Sequence, residues 1–262
     1  MFNDLSPAER GKYVCALRAA QMVKSGMKVG LGTGSTAYWL VKHLGKMVRE
    51  EGLQIQGVPT SSRTAAQARE EGIEVITLDQ AGWLDLTIDG ADEFDADFTL
   101  IKGGGGAHLQ EKVVAMGSDK MVVIADASKR VDVLGAFPLP VEILQFGANA
   151  TTKLIGGVLD DLGYSGVEIS LRKNDGVPFV TDEGNYILDL KMRAITDAVA
   201  LSRALNQLPG VVENGLFINI CSAVIVGNAD GSVTTEWKDG TATEVTQMMP
   251  LAETNLFPDI GD

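Results

Sequence analysis

The sequence predicts an α/β protein, namely a Rossmann-like domain with a mostly parallel sheet and an inserted, smaller ferredoxin-like α+β domain. In the first half of the chain, short apolar strands alternate with amphipathic helices, as they do in βαβ units. After Pro138 the order becomes strand, helix, strand, strand, helix, strand, which is the split βαβ motif. The apolar segment 223–226 indicates a return to the main sheet. We therefore expect a discontinuous main domain (1–136 plus about 219–262) around a smaller one (about 137–218).

The elements of the first half follow one another in the order that βαβ units require. Ser6 and Glu9 have the spacing of a capping pair and Pro7 suits the first helical position, so a helix should run from there to about Val23. The residue patterns predict further strands over 28–31, 54–58, 74–77, 84–89, 99–102 and 121–125. They predict further helices over 37–51, 65–71 and 109–116.

The second half should contain the elements of the smaller domain and one returning strand. The patterns predict strands over 141–146, 167–171, 185–190, 211–218 and 223–226 and helices over 151–162 and 197–207. After Trp237 the chain is acidic and sustains neither a helical nor a strand period, so a tail packed on the surface and a loose tail both stay open.

Composition is that of an ordinary globular protein. Of 262 residues, 45% are hydrophobic and 22% are charged, which excludes a disordered or fibrous chain. The 22 Lys and Arg against 35 Asp and Glu give a formal net charge of −13. This charge argues against nucleic acid or an anionic membrane as a partner, because both need a cationic surface. A small anionic ligand stays possible, since a few backbone N–H groups and lysines can bind it locally.

The cysteines and the N-terminus predict a cytoplasmic location. Cys15 and Cys221 lack the spacing of a metal site. Two cysteines in a chain of this length also argue against a disulfide scaffold. The N-terminal segment lacks the basic and apolar parts of a signal peptide, and no apolar run has the length of a membrane helix. Both thiols are expected to be buried and unreactive.

The first candidate site is the strand-to-helix turn Gly32-Thr33-Gly34-Ser35-Thr36-Ala37, which has the form of a dinucleotide fingerprint. That fingerprint needs a carboxylate after the second strand, but the sequence there, 59–63, has none. What remains is a helix N-terminus with three nearby hydroxyl groups, which suits one phosphate. The alternative is a tight turn whose glycines only allow close packing.

Two further segments carry groups suited to proton transfer. Asp89-Gly90-Ala91-Asp92-Glu93 places three carboxylates in five residues. They repel one another unless a metal, a cation or protonation reduces the repulsion. A solvated acidic turn is an equally open interpretation. The glycine run 103–106 between Lys102 and Ala107 leaves N–H groups unobstructed, and Glu111 lies on the helix behind it. A flexible linker is disfavoured because an apolar strand and a helix flank the run.

Two single residues complete the candidates. His108 is expected at the surface or behind the site rather than as a metal ligand, since no second His lies at helical spacing. Lys129 follows another apolar strand and is a candidate phosphate ligand, with a solvated loop lysine as the alternative. If all four strands belong to one parallel sheet, the four segments meet at its carboxyl edge and form one cleft.

In order and spacing, four segments resemble the type A ribose-5-phosphate isomerases: Gly32-Thr33-Gly34-Ser35-Thr36, Asp89-Gly90-Ala91-Asp92-Glu93, Lys102-Gly103-Gly104-Gly105 with Glu111-Lys112, and Ala125-Asp126-Ala127-Ser128-Lys129. The resemblance extends from about Lys12 to Trp237. It implies the interconversion of D-ribose 5-phosphate and D-ribulose 5-phosphate in the non-oxidative pentose phosphate pathway. It also implies that no cofactor or metal takes part and that the chain forms a homodimer or homotetramer.

The resemblance also implies a role for each matching residue. Glu111 would be the general base, Asp89 would assist ring opening with Asp92 beside it, and Lys102 would face the C1 and C2 oxygens. The residues implied to bind substrate, with Lys12 as the least secure addition, are Thr33, Gly34, Ser35, Thr36, Asp89, Gly90, Ala91, Asp92, Lys102, Gly103, Gly104, Gly105 and Lys129. These residue types suit an enediolate mechanism, which needs one base and donors for a developing oxyanion.

Other functions stay open from the sequence alone. A sugar-phosphate sensor would keep the phosphate turn but would need neither Lys102 nor Glu111. An amino-sugar-phosphate deaminase or an acyl-CoA transferase of related architecture is a further alternative. A metal-dependent isomerase would use Asp89, Asp92, Glu93 and His108 as ligands.

Overall fold

The first half of the chain folds into βαβ units, as the alternation of patterns predicts. The computed structural model describes residues 2–240 and 242–249. Its largest sheet has eight strands, in the order β17-β16-β15-β7-β4-β1-β2-β3. The strands of this sheet are β1 Lys28–Leu31, β2 Gln56–Pro59, β3 Glu74–Val75, β4 Leu86–Asp89, β7 Met121–Asp126, β15 Cys221–Gly227, β16 Ser232–Trp237 and β17 Thr243–Gln247.

The strand order of this sheet defines where a ligand can bind. Strands β15, β7, β4, β1, β2 and β3 are parallel, and β16 and β17 extend the β15 edge in antiparallel fashion. From β1 the chain adds β2 and β3 on one side and then β4, β7 and β15 on the other. The order therefore reverses between β1 and β4, and a crevice opens at the carboxyl ends of strands at such a point.

Helices cover both faces of the eight-stranded sheet. They are α1 Pro7–Ala20, α2 Ser35–Glu51, α3 Ser62–Glu70, α4 Leu78–Ala81 and α5 His108–Met116. Helix α1 begins as predicted, with the Ser6 hydroxyl accepting the Glu9 N–H, and it ends at Ala20 rather than near Val23. It packs its buried side chains on β7, β15 and α2.

The second half contains the predicted α+β arrangement. A four-stranded antiparallel sheet has the order β13-β8-β12-β9, and two helices accompany it. Its elements are β8 Leu139–Ile143, α6 Ala148–Asp161, β9 Glu168–Leu171, β12 Tyr186–Lys191, α7 Ala198–Asn206 and β13 Val211–Asn214. Between β9 and β12 lies a short hairpin of β10 Lys173–Asn174 and β11 Val177–Pro178. We call the part of the chain from β8 to β13 the second unit. The fold class is confirmed.

One predicted strand belongs to a different sheet. The strand before Lys102, β6 Leu100–Ile101, was expected in the parallel sheet; it lies instead in a three-stranded antiparallel sheet with β5 Glu93–Phe94 and β14 Leu216–Phe217. The cause is a tight turn, in which the Asp95 carboxylate accepts the Thr99 N–H and Phe98 adopts φ +60°. A hairpin of this kind returns the chain antiparallel, whereas a parallel neighbour needs a long crossover.

Part of the acidic tail packs on the edge of the large sheet. Strand β17 pairs with β16 along its whole length, although no strand pattern is visible in its sequence. Its side chains are mostly exposed, so backbone hydrogen bonds at the sheet edge hold it and no alternation of apolar residues is required. The tail residues Glu253, Asp259 and Asp262 lie outside the described residues.

Both cysteines are buried, as expected. Burial raises the pKa of the Cys15 thiol well above its usual value and raises that of Cys221 to about 12, so neither is a ready nucleophile. In the described part of the chain, no helix combines the length and the apolar character needed to cross a membrane.

Candidate functional site

The predicted site residues come together in one cleft at the carboxyl ends of β1 and β4, where the strand order reverses. The cleft has a volume of about 140 Å³. Residues from α1, four strand-to-helix or strand-to-loop connections and α5 line it: Lys12, Thr33, Gly34, Ser35, Thr36, Gly90, Ala91, Asp92, Lys102, Gly103, Gly104, Gly105, Glu111 and Lys129. Although β6 lies outside the parallel sheet, its carboxyl end reaches the same cleft.

Asp89, at the end of β4, is fully buried and is not itself among the residues that line the cleft. Its Oδ1 accepts the backbone N–H groups of Thr33, at 3.0 Å, and of Gly90, at 2.7 Å. A Cβ at Gly32 would lie 2.0 Å from this oxygen, so only glycine allows the β1 loop to close over the carboxylate. The two neighbouring strand ends are thereby joined through one side chain.

The predicted phosphate site, the N-terminus of α2, forms one end of the cleft. Gly34 precedes the helix at φ +115°, and no side chain of the described residues caps it. Its first N–H groups are therefore available to an anion, and Lys12 and Lys129 line the same cleft. Lys12 is held in place by Glu9, whose Oε1 lies 2.7 Å from its Nζ.

The Thr33 hydroxyl does not take part in this anion site. Its Oγ1 lies 2.8 Å from the hydroxyls of Thr60 and Ser61 and 3.2 Å from that of Thr64, so it joins a buried hydroxyl cluster beneath the turn. Thr33 contributes to the cleft through its backbone. The hydroxyls after β2 stand where a dinucleotide-binding protein has a carboxylate, and here they support the turn between β1 and α2. Sequence reasoning did not predict this role.

Lys102 links the two catalytic carboxylate candidates. Its Nζ lies 2.9 Å from Asp89 Oδ2 and 3.3 Å from Glu111 Oε2, and it donates to the Gly90 carbonyl at 2.5 Å. The three charged side chains are 0% to 4% exposed. Neither of the two carboxylate oxygens is aligned for a hydrogen bond, so the contacts are ion pairs between buried groups.

The electrostatics of this triad favour a basic carboxylate. Burial raises the pKa of Glu111 to about 8, the charge of Asp89 adds to the increase, and Lys102 opposes it. Burial likewise raises the pKa of Asp89 against the effect of Lys102. Burial alone would lower the pKa of Lys102, but the two carboxylates outweigh it and keep the amine charged. One ammonium cannot fully compensate two buried carboxylates, so the last proton leaves only near neutral pH or above.

The glycine run forms a loop, Gly103 to Gly106, along one wall of the cleft. The Gly104 N–H donates to Asp92 Oδ2 at 2.7 Å, and the Gly106 N–H donates to the Gly103 carbonyl at 3.0 Å. Among the described residues, the Gly103 and Gly105 N–H groups have no partner. These two donors are therefore the ones available to a substrate oxygen.

Glu93 and His108 point away from the cleft. Glu93 accepts the backbone N–H groups of Gly135 and Phe137, which fastens the chain ahead of the second unit. His108 is fully buried behind Gly103, so a surface position was the wrong expectation and the position behind the site is confirmed. Burial lowers its pKa to about 3, so the ring is neutral. The four ligands weighed for a metal-dependent enzyme are not brought together.

A larger groove lies on the opposite face of α5. Its volume is about 510 Å³ and it is lined mainly by apolar residues, including Leu109 and Val113. Its charged residues, Arg69 and Glu183, are exposed. The chemistry is therefore concentrated in the smaller cleft.

Comparisons with known proteins agree with this geometry. The sequence model of a family described as ribose 5-phosphate isomerase A (phosphoriboisomerase A) matches residues 56–231. A protein of Roseobacter denitrificans named ribose-5-phosphate isomerase A is 59% identical over 264 aligned residues, which cover 100% of both chains.

Two solved structures have the same fold. A D-ribose-5-phosphate isomerase in complex with phospho-erythronic acid has a TM-score of 0.81 at 34% identity, covering 88% of this chain and 100% of that one. Ribose 5-phosphate isomerase A of Methanocaldococcus jannaschii has a TM-score of 0.77 at 38% identity, covering 90% of this chain and 97% of the other.

Proposed function

The chain belongs to the ribose 5-phosphate isomerase A family, and from this premise we propose that its cleft interconverts D-ribose 5-phosphate and D-ribulose 5-phosphate through an enediolate. The observation that carries the proposal is the buried triad of Lys102, Asp89 and Glu111, next to a helix N-terminus with two lysines. A base and an anion site in one cleft are what a sugar phosphate with a transferable proton requires.

Glu111 acts as the base. In the open-chain aldose, its carboxylate removes the C2 proton, and the electron pair moves to the C1 carbonyl oxygen to give the enediolate. The same proton returns to C1, and the C2 hydroxyl proton is transferred to the C1 oxygen, which gives the ketose. A base with a pKa of about 8 is well matched to this step at neutral pH.

Lys102 and the glycine loop stabilise the negative charge that develops on the substrate oxygens. The N–H groups of Gly103 and Gly105 are free to donate, and the Lys102 charge lies in the same wall of the cleft. Fixed donors in a site that excludes water are more effective than water itself, because they need no reorganisation. Asp92 holds the Gly104 N–H of this wall, and Asp89 holds the N–H groups of Thr33 and Gly90. Both carboxylates can accept protons from the sugar hydroxyls.

The phosphate group binds at the N-terminus of α2. Ser35 and Thr36 supply the first N–H groups of the helix, and Lys12 and Lys129 supply positive charge. The phospho-erythronic acid bound by the related enzyme fits this arrangement chemically, since its carboxylate has the planar pair of oxygens of an enediolate. It is therefore a suitable probe for this chain as well.

The test is turnover of D-ribose 5-phosphate, with excess chelator, by the wild type and by Glu111→Gln. We expect the wild type to be active and the variant to lose at least about 10²-fold in kcat, the contribution of a positioned base. Glu71→Gln is the matched control, because Glu71 is a buried carboxylate at the C-terminal end of α3, outside the cleft, where it pairs with Lys42 and Arg49.

Each other outcome would count against a part of the proposal. Near wild-type turnover by Glu111→Gln would remove Glu111 from the role of base. Activity lost on chelation would indicate a metal-dependent isomerase. Binding of the sugar phosphate by the wild type without turnover would indicate a sensor or another substrate.

We also propose that the chain works in the cytoplasm, in the non-oxidative pentose phosphate pathway, and as a homodimer or homotetramer. The resemblance of the motifs and the buried thiols support this setting. Light scattering on the purified chain measures its mass in solution, and a monomer would contradict the expected assembly. The boundaries of the inserted domain, about 137–218, stay a proposal that limited proteolysis can test.

A further inference from the structure

We propose that Arg172, held by Asp189, is a positioning residue that orients the glycine loop toward the developing oxyanion. Both residues belong to the second unit, outside the residues that line the cleft. The inference rests on the proposed function, because it assigns a task to the loop that the function requires.

Arg172 reaches the loop from the end of β9. Its Nη1 donates to the Gly103 carbonyl at 2.6 Å and, in a longer contact of 3.4 Å, to the Gly104 carbonyl. The other side of the guanidinium forms a bidentate pair with Asp189, in which Nε donates to Oδ2 at 2.9 Å and Nη2 to Oδ1 at 2.5 Å. The Arg172 side chain is 13% exposed and that of Asp189 21%. The pair fixes the plane of the guanidinium and leaves Nη1 for the loop.

These contacts determine where the loop N–H groups point. In a trans peptide the carbonyl and the following N–H point in opposite directions, and the described chain has no cis peptide bond. Because Arg172 draws the Gly103 carbonyl toward the second unit, the Gly104 N–H faces the cleft side, where Asp92 accepts it. The Gly104 carbonyl is drawn the same way, so the Gly105 N–H also faces the cleft, where no described residue accepts it.

Other contacts from behind keep the loop in this orientation. A Cβ at Gly103, whose φ is +111°, would lie 2.9 Å from His108 Nδ1 and from the Pro140 ring. A Cβ at Gly106 would lie 2.4 Å from the ring of Phe179. The loop is therefore packed against the second unit. Asp92 and the Gly106 N–H also hold the Gly103–Gly104 peptide plane, whereas among the described residues Arg172 is the partner of the Gly104 carbonyl and so orients the next plane.

The experiment compares Arg172→Gln, Arg172→Lys and Asp189→Asn with the wild type. Peptide planes that are free to turn lose donor alignment rather than the donor itself, so we expect Arg172→Gln to lower kcat by about 10- to 100-fold and to change KM less than about threefold. The kcat of Asp189→Asn and of Arg172→Lys should lie between those of the wild type and Arg172→Gln. The double variant Arg172→Gln with Asp189→Asn should have the same kcat as Arg172→Gln alone, because the pair acts as a unit.

Two inhibitors separate orientation from general damage. Phospho-erythronic acid probes the oxyanion donors and the phosphate site together, whereas inorganic phosphate probes the phosphate site alone. We expect the first to bind each variant more weakly, in proportion to the loss of kcat/KM, and the second to bind as it does to the wild type. Lys191→Gln is the matched control, because it removes the Lys191–Glu168 ion pair on the neighbouring strands without touching the loop.

Two results would overturn the proposal. The first is wild-type kcat in Arg172→Gln. The second is a loss of kcat accompanied by an equal loss of phosphate affinity, which would indicate a role in folding the cleft. Either can be told apart from a failure of the proposed function, since that failure shows as an inactive wild type or as an active Glu111→Gln.

Discussion

Glu111 combines a buried position with contact to a positive charge, and both determine how the activity should depend on pH. As the proposed base, the carboxyl must lose its proton before it can accept one from C2, and burial raises its pKa to about 8. We therefore expect kcat/KM to rise with pH up to about 8 and to level off above it, nearly tenfold per unit where the limb is fully developed.

The measurement is a kcat/KM profile from pH 6.5 to 9.5, a range above the second pKa of a phosphate ester, which is about 6. Glu111→Asp keeps a carboxylate and should keep a rising limb at lower activity. A flat profile in the wild type over this range would show that the ionisation of Glu111 does not limit the reaction.

Among the elements, the connection after β7 supplies Lys129 to the cleft that the N-terminus of α2 also lines. Removing one charged donor to a phosphate costs about 1.5–3 kcal/mol, or roughly 10- to 100-fold in binding. Lys129→Ala should therefore raise KM by about tenfold or more and change kcat little.

The control for this substitution is Lys120→Ala. Lys120 lies just before the same strand, at the opposite edge of the sheet, where its Nζ packs 5.4 Å from the centre of the Trp237 ring. Steady-state kinetics on both variants suffices. An unchanged KM in Lys129→Ala would remove Lys129 from the phosphate site. An equal rise of KM in both variants would instead point to a general effect of removing one positive charge from the protein.

The elements also show how far the sequence could be interpreted. Apolar runs bounded by glycines predicted most strands, and the polar residues after them predicted nearly the whole cleft, because carboxyl ends of parallel strands meet at one edge. The same reasoning placed β6 in the parallel sheet, since a buried two-residue strand looks alike in either direction. The direction of β6 is decided by the turn before it, in which Phe98 adopts φ +60°.

Contacts between distant segments could not be predicted in this way. Arg172 contacts the glycine loop across 69 positions of sequence and pairs with Asp189 17 positions further on. Nothing in the local pattern of either residue distinguishes it from a surface charge. The hydroxyl cluster at Thr33 is similar, because its partners follow another strand. Local patterns specify where a loop begins, and the fold decides which remote side chains orient it.

At the scale of the whole molecule, the site is assembled where the doubly wound sheet, the three-stranded sheet and the second unit meet. Lys102 follows β6, its N–H donates to the carbonyl of Gly215 just before β14, and its ammonium pairs with Asp89 at the end of β4. A buried charge cluster at this junction makes the stability of the fold depend on the same protons as the chemistry.

The sign of that dependence follows from the raised pKa of Glu111. The carboxyl keeps its proton up to about pH 8 in the folded chain but loses it near its ordinary value of 4.5 when unfolded. Between these values the folded state binds more protons, so the stabilisation from this group is complete below about pH 4.5 and is lost as pH rises through 8. For one proton the slope is at most about 1.4 kcal/mol per pH unit.

Glu111→Gln removes this ionisation and should flatten the dependence. We expect the free energy of unfolding of the wild type, measured with urea from pH 5 to 8, to fall relative to the variant by about 1 kcal/mol per pH unit.

Glu71→Gln is the control, since the pKa of Glu71 is shifted in the opposite direction. Burial raises this pKa, but the salt bridges from Lys42 and Arg49 outweigh burial and lower it. Its stabilisation is lost only as pH falls through that lowered pKa, so over this range its curve should run parallel to that of the wild type. Parallel curves for wild type and Glu111→Gln would instead mean that Glu111 is already ionised in the folded protein at pH 5, with Lys102 compensating its charge in full.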